Sequence, residues 1–259
     1  YYILEEDFKL NSFIAWVGGK KLLRKFISDK FPEKFDKYIE VFGGAGWVLF
    51  YKDKYANTEV YNDINSERVN LFKCVKYHPE AIEKELELSL NSRQIFNEYK
   101  NQTDCIGLTD IQRAARYLYL IKVSYGARVN TYGNRPRDLS NTEFLKDVRK
   151  RLSRVVIENK SFEKIIASYD SEGTLFYLDP PYHNTENMYD TGDFIFNEEQ
   201  HIKLRDILKN IKGKFVLSYN DDEFICELYK DFKIEGIERQ NNLSLSSGSR
   251  FKEVVITNY

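Results

Sequence analysis

The chain alternates short, β-rich apolar runs with segments whose apolar residues recur at helical spacing. Leu22, Leu23, Phe26 and Ile27 predict one face of a first helix. Tyr38-Ile39-Glu40-Val41-Phe42 reads as a short buried strand running into Gly43-Gly44-Ala45-Gly46, with Trp47-Val48-Leu49-Phe50 as a helix start. Val60-Tyr61 gives a second strand, then Asn62-Asp63-Ile64-Asn65 and a helix from Ser66 to Lys76. From about residue 77 to 155 the alternation stops and helical spacing takes over, as in Ile111, Ala114, Ala115, Leu118 and Ile121. A later helix points Phe144, Leu145, Val148 and Leu152 inward. Strands resume at Val155-Val156-Ile157, Thr174-Leu175-Phe176-Tyr177-Leu178 and Phe215 to Asn220, with a helix on Leu204, Ile207, Leu208 and Ile211 between the last two. Ile234 to Tyr259 reads as a β-hairpin closed by the polar stretch 241–250.

Strand, glycine turn and helix form the first unit of a Rossmann-like sheet. The expected fold is α/β, with helices on both faces of the sheet and a mostly helical insertion. The boundaries are 1–76 with 155–259 for the sheet domain and 77–154 for the insertion. A chain of 259 residues suits a core domain of that kind, and 42% hydrophobic content is enough to fill it. Cys74, Cys105 and Cys226 lack metal-ligand spacing, which argues against a zinc site or disulfide scaffold and for a reducing compartment, the cytoplasm. No long apolar run or signal-like segment points to a membrane or export.

The net charge of −1 says little about a polyanion, but its distribution says more. Between Arg113 and Lys160 twelve Lys or Arg stand against four acids, a local excess of eight. That segment includes the turn-rich, aromatic stretch from Ser124 to Arg137 and a helix bearing Lys146, Arg149, Lys150, Arg151 and Arg154. Such a footprint suits phosphate, although a solvated helix face could supply part of it.

Three further stretches carry candidate chemistry. Gly18-Gly19-Lys20 before a helix offers free N–H groups, a positive dipole end and an ammonium to an anion. The bare positions 43, 44 and 46 allow a ligand close to the backbone, and Asp63 follows them at the spacing of a ribose-binding acid. Asp179-Pro180-Pro181-Tyr182 ends a buried strand with an acid, free carbonyls and a ring. It suits an amino nitrogen held in a ring plane, Asp179 accepting one N–H, the Pro180 carbonyl the other and Tyr182 stacking; a rigid surface turn is the plain alternative.

In this order the motifs resemble the Dam-type (D12 class) DNA adenine-N6 methyltransferases, from Trp16-Val17-Gly18-Gly19-Lys20 to Lys252-Glu253-Val254-Val255-Ile256-Thr257-Asn258-Tyr259. The resemblance implies S-adenosylmethionine as cofactor, double-stranded DNA as substrate, and a target-recognition domain in the insertion. Trp16, Gly18, Gly19 and Lys20 match the family's N-terminal cofactor motif, Phe42, Gly43 and Gly44 its methionine-end pocket, Asp63 the acid on the ribose, and Phe162 the aromatic beside the cofactor adenine. Ser161 stands next to it where many relatives have an acid. Asp179, Pro180, Pro181 and Tyr182 match the catalytic motif, Asp179 also meeting the cofactor.

For DNA, the expectation falls on Arg113, Arg116, Tyr125, Arg128, Asn130, Arg135, Arg137, Lys146, Arg149 and Lys150. The stretch Tyr132-Gly133-Asn134-Arg135-Pro136-Arg137 is shorter than the hairpin of many GATC-methylating members, so a GATC target is not carried over. The implied reaction is a direct displacement on a flipped adenine, needing no metal and no covalent enzyme intermediate. A monomer with a companion restriction endonuclease is the expected setting. The alternatives are an amino-methyltransferase acting on RNA or cytosine N4, and a binding protein that keeps the fold without catalysis.

Overall fold

Alternate residues of the central strands face two different cores, as the twofold period of a strand requires when both faces are covered. The computed structural model describes residues 10–15, 19–87, 89–102, 106–184, 196–240 and 250–259. Helix α1 (Arg24–Asp29) leads into β1 (Lys37–Glu40), followed by β2 (Thr58–Asn62) and α2 (Ser66–Tyr77). Four helices come next: α3 (Pro79–Glu87), α4 (Arg93–Asn101), α5 (Asp110–Val123) and α6 (Phe144–Leu152). Then β3 (Val155–Glu158), α7 (Phe162–Tyr169), β4 (Thr174–Leu178), α8 (Glu198–Leu208), β5 (Lys214–Asn220), α9 (Glu223–Leu228), β6 (Lys233–Gln240) and β7 (Arg250–Thr257) complete the chain.

These strands form one sheet in the order β3-β2-β1-β4-β5-β7-β6. The first five are parallel, and the closing hairpin inserts β7 antiparallel beside β5. Tyr38, Tyr61, Leu175, Tyr177, Val216 and Val255 pack into one core with α2 and with residues of α3 to α6. Ile39, Val60, Phe176, Leu178, Phe215, Leu217 and Ile256 pack into the other with α7, α8 and α9. The chain runs from β1 outward through β2 to β3, then returns to β4 on the other side of β1. That reversal makes the carboxyl ends of β1 and β4 the switch point, where an open α/β sheet leaves a crevice for ligands.

Two local readings change. Trp47–Phe50 does not start an α-helix: Leu49–Tyr51 is a single 3-10 turn, ended by Lys52 in extended conformation (φ −120°, ψ 153°). Arg151 belongs inside, not on the exposed basic face of α6. Its position follows the stripe set by Leu145, Val148 and Leu152, all buried. Arg151 meets both Glu59 oxygens at 2.7 and 2.8 Å and also donates to Lys52 O at 2.8 Å and Leu49 O at 2.9 Å. It joins α6 to β2 and to the turn after the glycines.

Candidate active site

The glycine turn is built around one ring. The Gly43 amide donates to Asn62 O at 2.7 Å and the Gly46 amide to Gly43 O at 2.7 Å. Gly44 (φ 51°) and Gly46 (φ 68°) lie in the left-handed region that favours glycine. A Cβ on Gly43 would fall inside the Tyr61 ring. That ring cannot retreat, being stacked on Phe72 at 4.0 Å, and its hydroxyl donates to Gly44 O at 2.7 Å. The bare position at 43 therefore admits Tyr61 rather than a ligand, a correction to the expectation that it serves close ligand approach.

Asp63, at the end of β2, is buried and supports the same turn. Its Oδ2 accepts from the Gly44 amide at 2.8 Å and from Arg68 Nη1 at 2.8 Å, and its Oδ1 from the Asn65 amide at 2.8 Å. Asn62 ties three strand ends together, donating to Val41 O at 2.9 Å and Lys160 O at 3.0 Å while accepting from the Lys160 amide at 2.9 Å. Beside this knot Val41, Phe42, Ile64, Lys160, Ser161, Phe162, Pro181 and Phe196 line a small pocket open to solvent. Phe42 lies 5.9 Å from Phe162 and 5.6 Å from Phe196, centroid to centroid, so the wall is aromatic. Phe196, which the sequence reading did not single out, lies just ahead of α8.

Across the switch point, the prolines end β4 and leave Asp179 beside the carboxyl end of β1, Glu40 pairing in register with Tyr177. Asp179 Oδ1 accepts from Lys20 Nζ at 2.7 Å and Ser218 Oγ at 2.9 Å. Lys20, only 3% exposed, sits 4.7 Å from the Tyr182 ring centroid and 3.9 Å from Glu253 Oε2. The Tyr182 hydroxyl donates to Glu253 Oε2 at 2.9 Å. Burial pushes the Asp179 carboxyl above the ordinary aspartate range; the Lys20 charge pulls against this and Glu253 adds to it. The crevice thus brings together Lys20, Phe42, Gly44, Ser161, Phe162, Asp179, Pro181 and Tyr182. Trp16 and Gly18 lie outside the described residues.

The family model of the D12 class N6 adenine-specific DNA methyltransferases matches residues 16–243. The chain belongs to that family. It is 31% identical to the type II methyltransferase M1.LlaDCHI of Lactococcus lactis subsp. cremoris, over 96% of each chain. It is 28% identical to the type II methyltransferase M.MjaIII of Methanocaldococcus jannaschii (97% of this chain, 100% of that one). A DNA adenine methylase of Haemophilus influenzae is 25% identical over 96% of this chain and 93% of its own. The protein is thus an adenine-specific DNA methyltransferase that acts on DNA with a methyl donor.

In this methyltransferase the ten residues expected on DNA divide into two groups. Tyr125, Arg128, Asn130, Arg135, Arg137, Lys146, Arg149 and Lys150 are exposed. The loop carrying the first five is pinned at its base, where the Tyr125 amide donates to Thr131 O at 2.7 Å and the Gly133 amide to Val123 O at 2.8 Å. Ala127 (φ 57°), Val129 (φ 64°) and Asn134 (φ 47°) hold left-handed conformations in it, which is costly for a β-branched valine. Arg116 instead is buried in α5, its Nε donating to Tyr99 O at 2.7 Å, which removes it from the DNA-facing set. Arg113 is half-buried and bridges to Glu67 and Asp110. Among the described residues no cluster of His, Cys, Asp or Glu could hold a metal ion, and no helix is long and apolar enough to cross a membrane.

Ser218 and Glu253 are the polar residues the sequence reading passed over. Ser218 shares its face of β5 with Val216 and Glu253 its face of β7 with Val255, both packed into the core. A polar residue two positions from a buried valine on the same strand face was the available signal.

Glu40, 2% exposed on β1, accepts from the Tyr38 hydroxyl at 2.8 Å. Burial raises its pKa from 4.5 to about 8. A carboxyl raised in the folded state binds its proton more tightly there than in the unfolded chain. Stability therefore falls as pH rises from 4.5 to about 8, and the loss is complete above that. At about 1.4 kcal/mol per pKa unit the full loss is at most about 5 kcal/mol. Glu40→Gln should flatten that slope in denaturant titrations across the window; an unchanged slope would assign it to another group.

Proposed function

We propose that this methyltransferase takes its methyl group from S-adenosylmethionine and delivers it to N6 of an adenine flipped out of double-stranded DNA. The observation that carries the reading is the position of Asp179: a carboxylate held by Lys20 and Ser218 at the switch-point end of β4. The crevice residues suit the donor. Phe42, Phe162 and Phe196 line an aromatic pocket whose walls suit the faces of a purine ring, so Phe42 would serve the adenine end of the donor and not its methionine end. Ser161 would meet the edge of that ring, and Asp63 Oδ1, accepting one N–H, has capacity for a ribose hydroxyl. Gly19, Lys20 and Gly44 would border its amino-acid end. Bound there, the donor supplies an electrophilic methyl group.

The rest is the work of the chain's own groups. An adenine N6 is a weak nucleophile because its lone pair is delocalised into the ring. Asp179 would accept one N–H and the Pro180 carbonyl the other, turning the lone pair out of the ring plane. Tyr182 would stack on the flipped base, offsetting part of the few kcal/mol that flipping costs. The gain is orientation and preorganised charge. Residues 77–154 act as the DNA-reading element, with Lys146, Arg149 and Lys150 on phosphate and Arg128 or Arg135 on a base edge. The type II names of the relatives favour a companion endonuclease for this chain as well.

The test is calorimetry with S-adenosylmethionine in the presence of chelator, followed by mapping of modified bases on duplex plasmid. Binding without metal, and N6-methyladenine at one recurring sequence, are expected. Methyl groups on RNA or on cytosine N4 would overturn the reading. In the same assay Arg128→Ala or Arg135→Ala should relax the target at one position, and Lys146→Ala should weaken all sequences alike and lower the salt slope by about one.

A further inference from the structure

Lys20 places one positive charge between two carboxylates, Asp179 Oδ1 at 2.7 Å and Glu253 Oε2 at 3.9 Å. Glu253 is 2% exposed and stands at the end of the sheet, in register with Asn220 of β5. Burying a carboxylate costs several kcal/mol, and an apolar residue here would pack with Val255. Among these three groups two carboxylates face one ammonium. Without Glu253 the lysine would cancel Asp179 outright.

We propose that Glu253 is a positioning residue for methyl transfer: it shares Lys20 with Asp179, so that the lysine does not neutralise the Asp179 carboxylate toward the amino group of the target base, and it anchors the Tyr182 hydroxyl, so that the ring is held beside that group. The inference rests on Asp179 receiving the amino group. The two carboxylates also favour the positive charge that builds on the amino nitrogen as it takes a methyl group. The tether fixes the tyrosine through a hydroxyl that stacking alone does not require.

Among the described residues, the ionisable groups facing Asp179 are Lys20 ahead of α1, Glu253 on β7, Glu40 on β1 and Tyr177 on β4. Glu253 raises the Asp179 carboxyl, so its charge sets where the acid limb of the rate profile falls.

The experiment compares Glu253→Gln, Glu253→Asp and Tyr182→Phe in single-turnover methyl transfer from pH 5 to 9, with melting curves and binding of S-adenosylmethionine and duplex DNA alongside. Glu253→Gln keeps an acceptor for the tyrosine but loses the charge. Its rate should fall about tenfold to a hundredfold, as for loss of one charged partner, and its acid limb should move to lower pH while both affinities hold. Glu253→Asp keeps the charge on a shorter side chain, so its limb should stay in place while its rate falls. Tyr182→Phe should also lose rate, since the tether goes with the hydroxyl. A wild-type rate and limb in Glu253→Gln, or a rate loss that tracks a lowered melting temperature with the limb unmoved, overturns the proposal. An Asp179→Ala control separates the two ideas. If it is active the parent reading fails, and if it is inactive while Glu253→Gln is normal only the present one does.

Discussion

Asp179→Ala should abolish methyl transfer, by about a thousandfold or more in single turnover, while the donor and duplex DNA still bind. The carboxylate lies at the switch point and touches only Lys20 and Ser218 among the hydrogen-bond partners described for it. Lys20 retains Glu253 after the change, so the buried ammonium is not stranded. The fold should therefore survive with a small shift in melting temperature. Asp179→Asn should keep a trace of activity, because its carbonyl accepts one N–H without the charge. A structural turn would behave in the opposite way, with melting temperature, binding and rate falling together. A folded, fully active Asp179→Ala protein would sink the catalytic role.

Arg151→Ala should carry the largest stability loss, about 3–5 kcal/mol, because it strands Glu59 as a buried charge. It also frees the Leu49 and Lys52 carbonyls from their donor. For a chain of this size that corresponds to a drop in melting temperature on the order of 10 °C. Replacing both partners, as in Arg151→Met with Glu59→Leu, should recover most of the loss, since an apolar pair of similar volume leaves no charge behind. Calorimetric melting of the three proteins decides it. A double variant no better than Arg151→Ala would mean that the two carbonyl contacts, and not the ion pair, hold α6 in place.

The candidate crevice was legible because its signals are local. Pro180 and Pro181 can only end a strand, and a glycine turn after an apolar run marks where β1 stops. Strand order and the switch point then bring Asp179 and Gly44 together without further information from the sequence. What stayed hidden depends on neighbours distant along the chain. Gly43 reads as an open approach until Tyr61, from the next strand, is seen filling it. Arg116 reads as surface because charge usually is, yet α5 is buried from Ala114 to Ile121 among other helices. Arg151 could have been placed by its spacing from Val148, but its partner Glu59 lies ninety-two residues away. Glu253 needed β7 placed between β5 and β6, and a lysine from ahead of α1, before its burial made sense.

The packing of Tyr61 against Gly43 has a bearing on how this protein can be altered. A methyl group at 43 has no room while a six-membered ring occupies that space, and Phe72 behind the ring closes its retreat. Positions 43 and 61 are in effect one choice of residue pair. A library that randomises either alone should return the parent residue, whereas one that varies both together can find a smaller ring partner and a larger turn. Recombining segments with a relative is subject to the same restriction: a crossover placed between the two strands separates a glycine from the tyrosine it was shaped to receive.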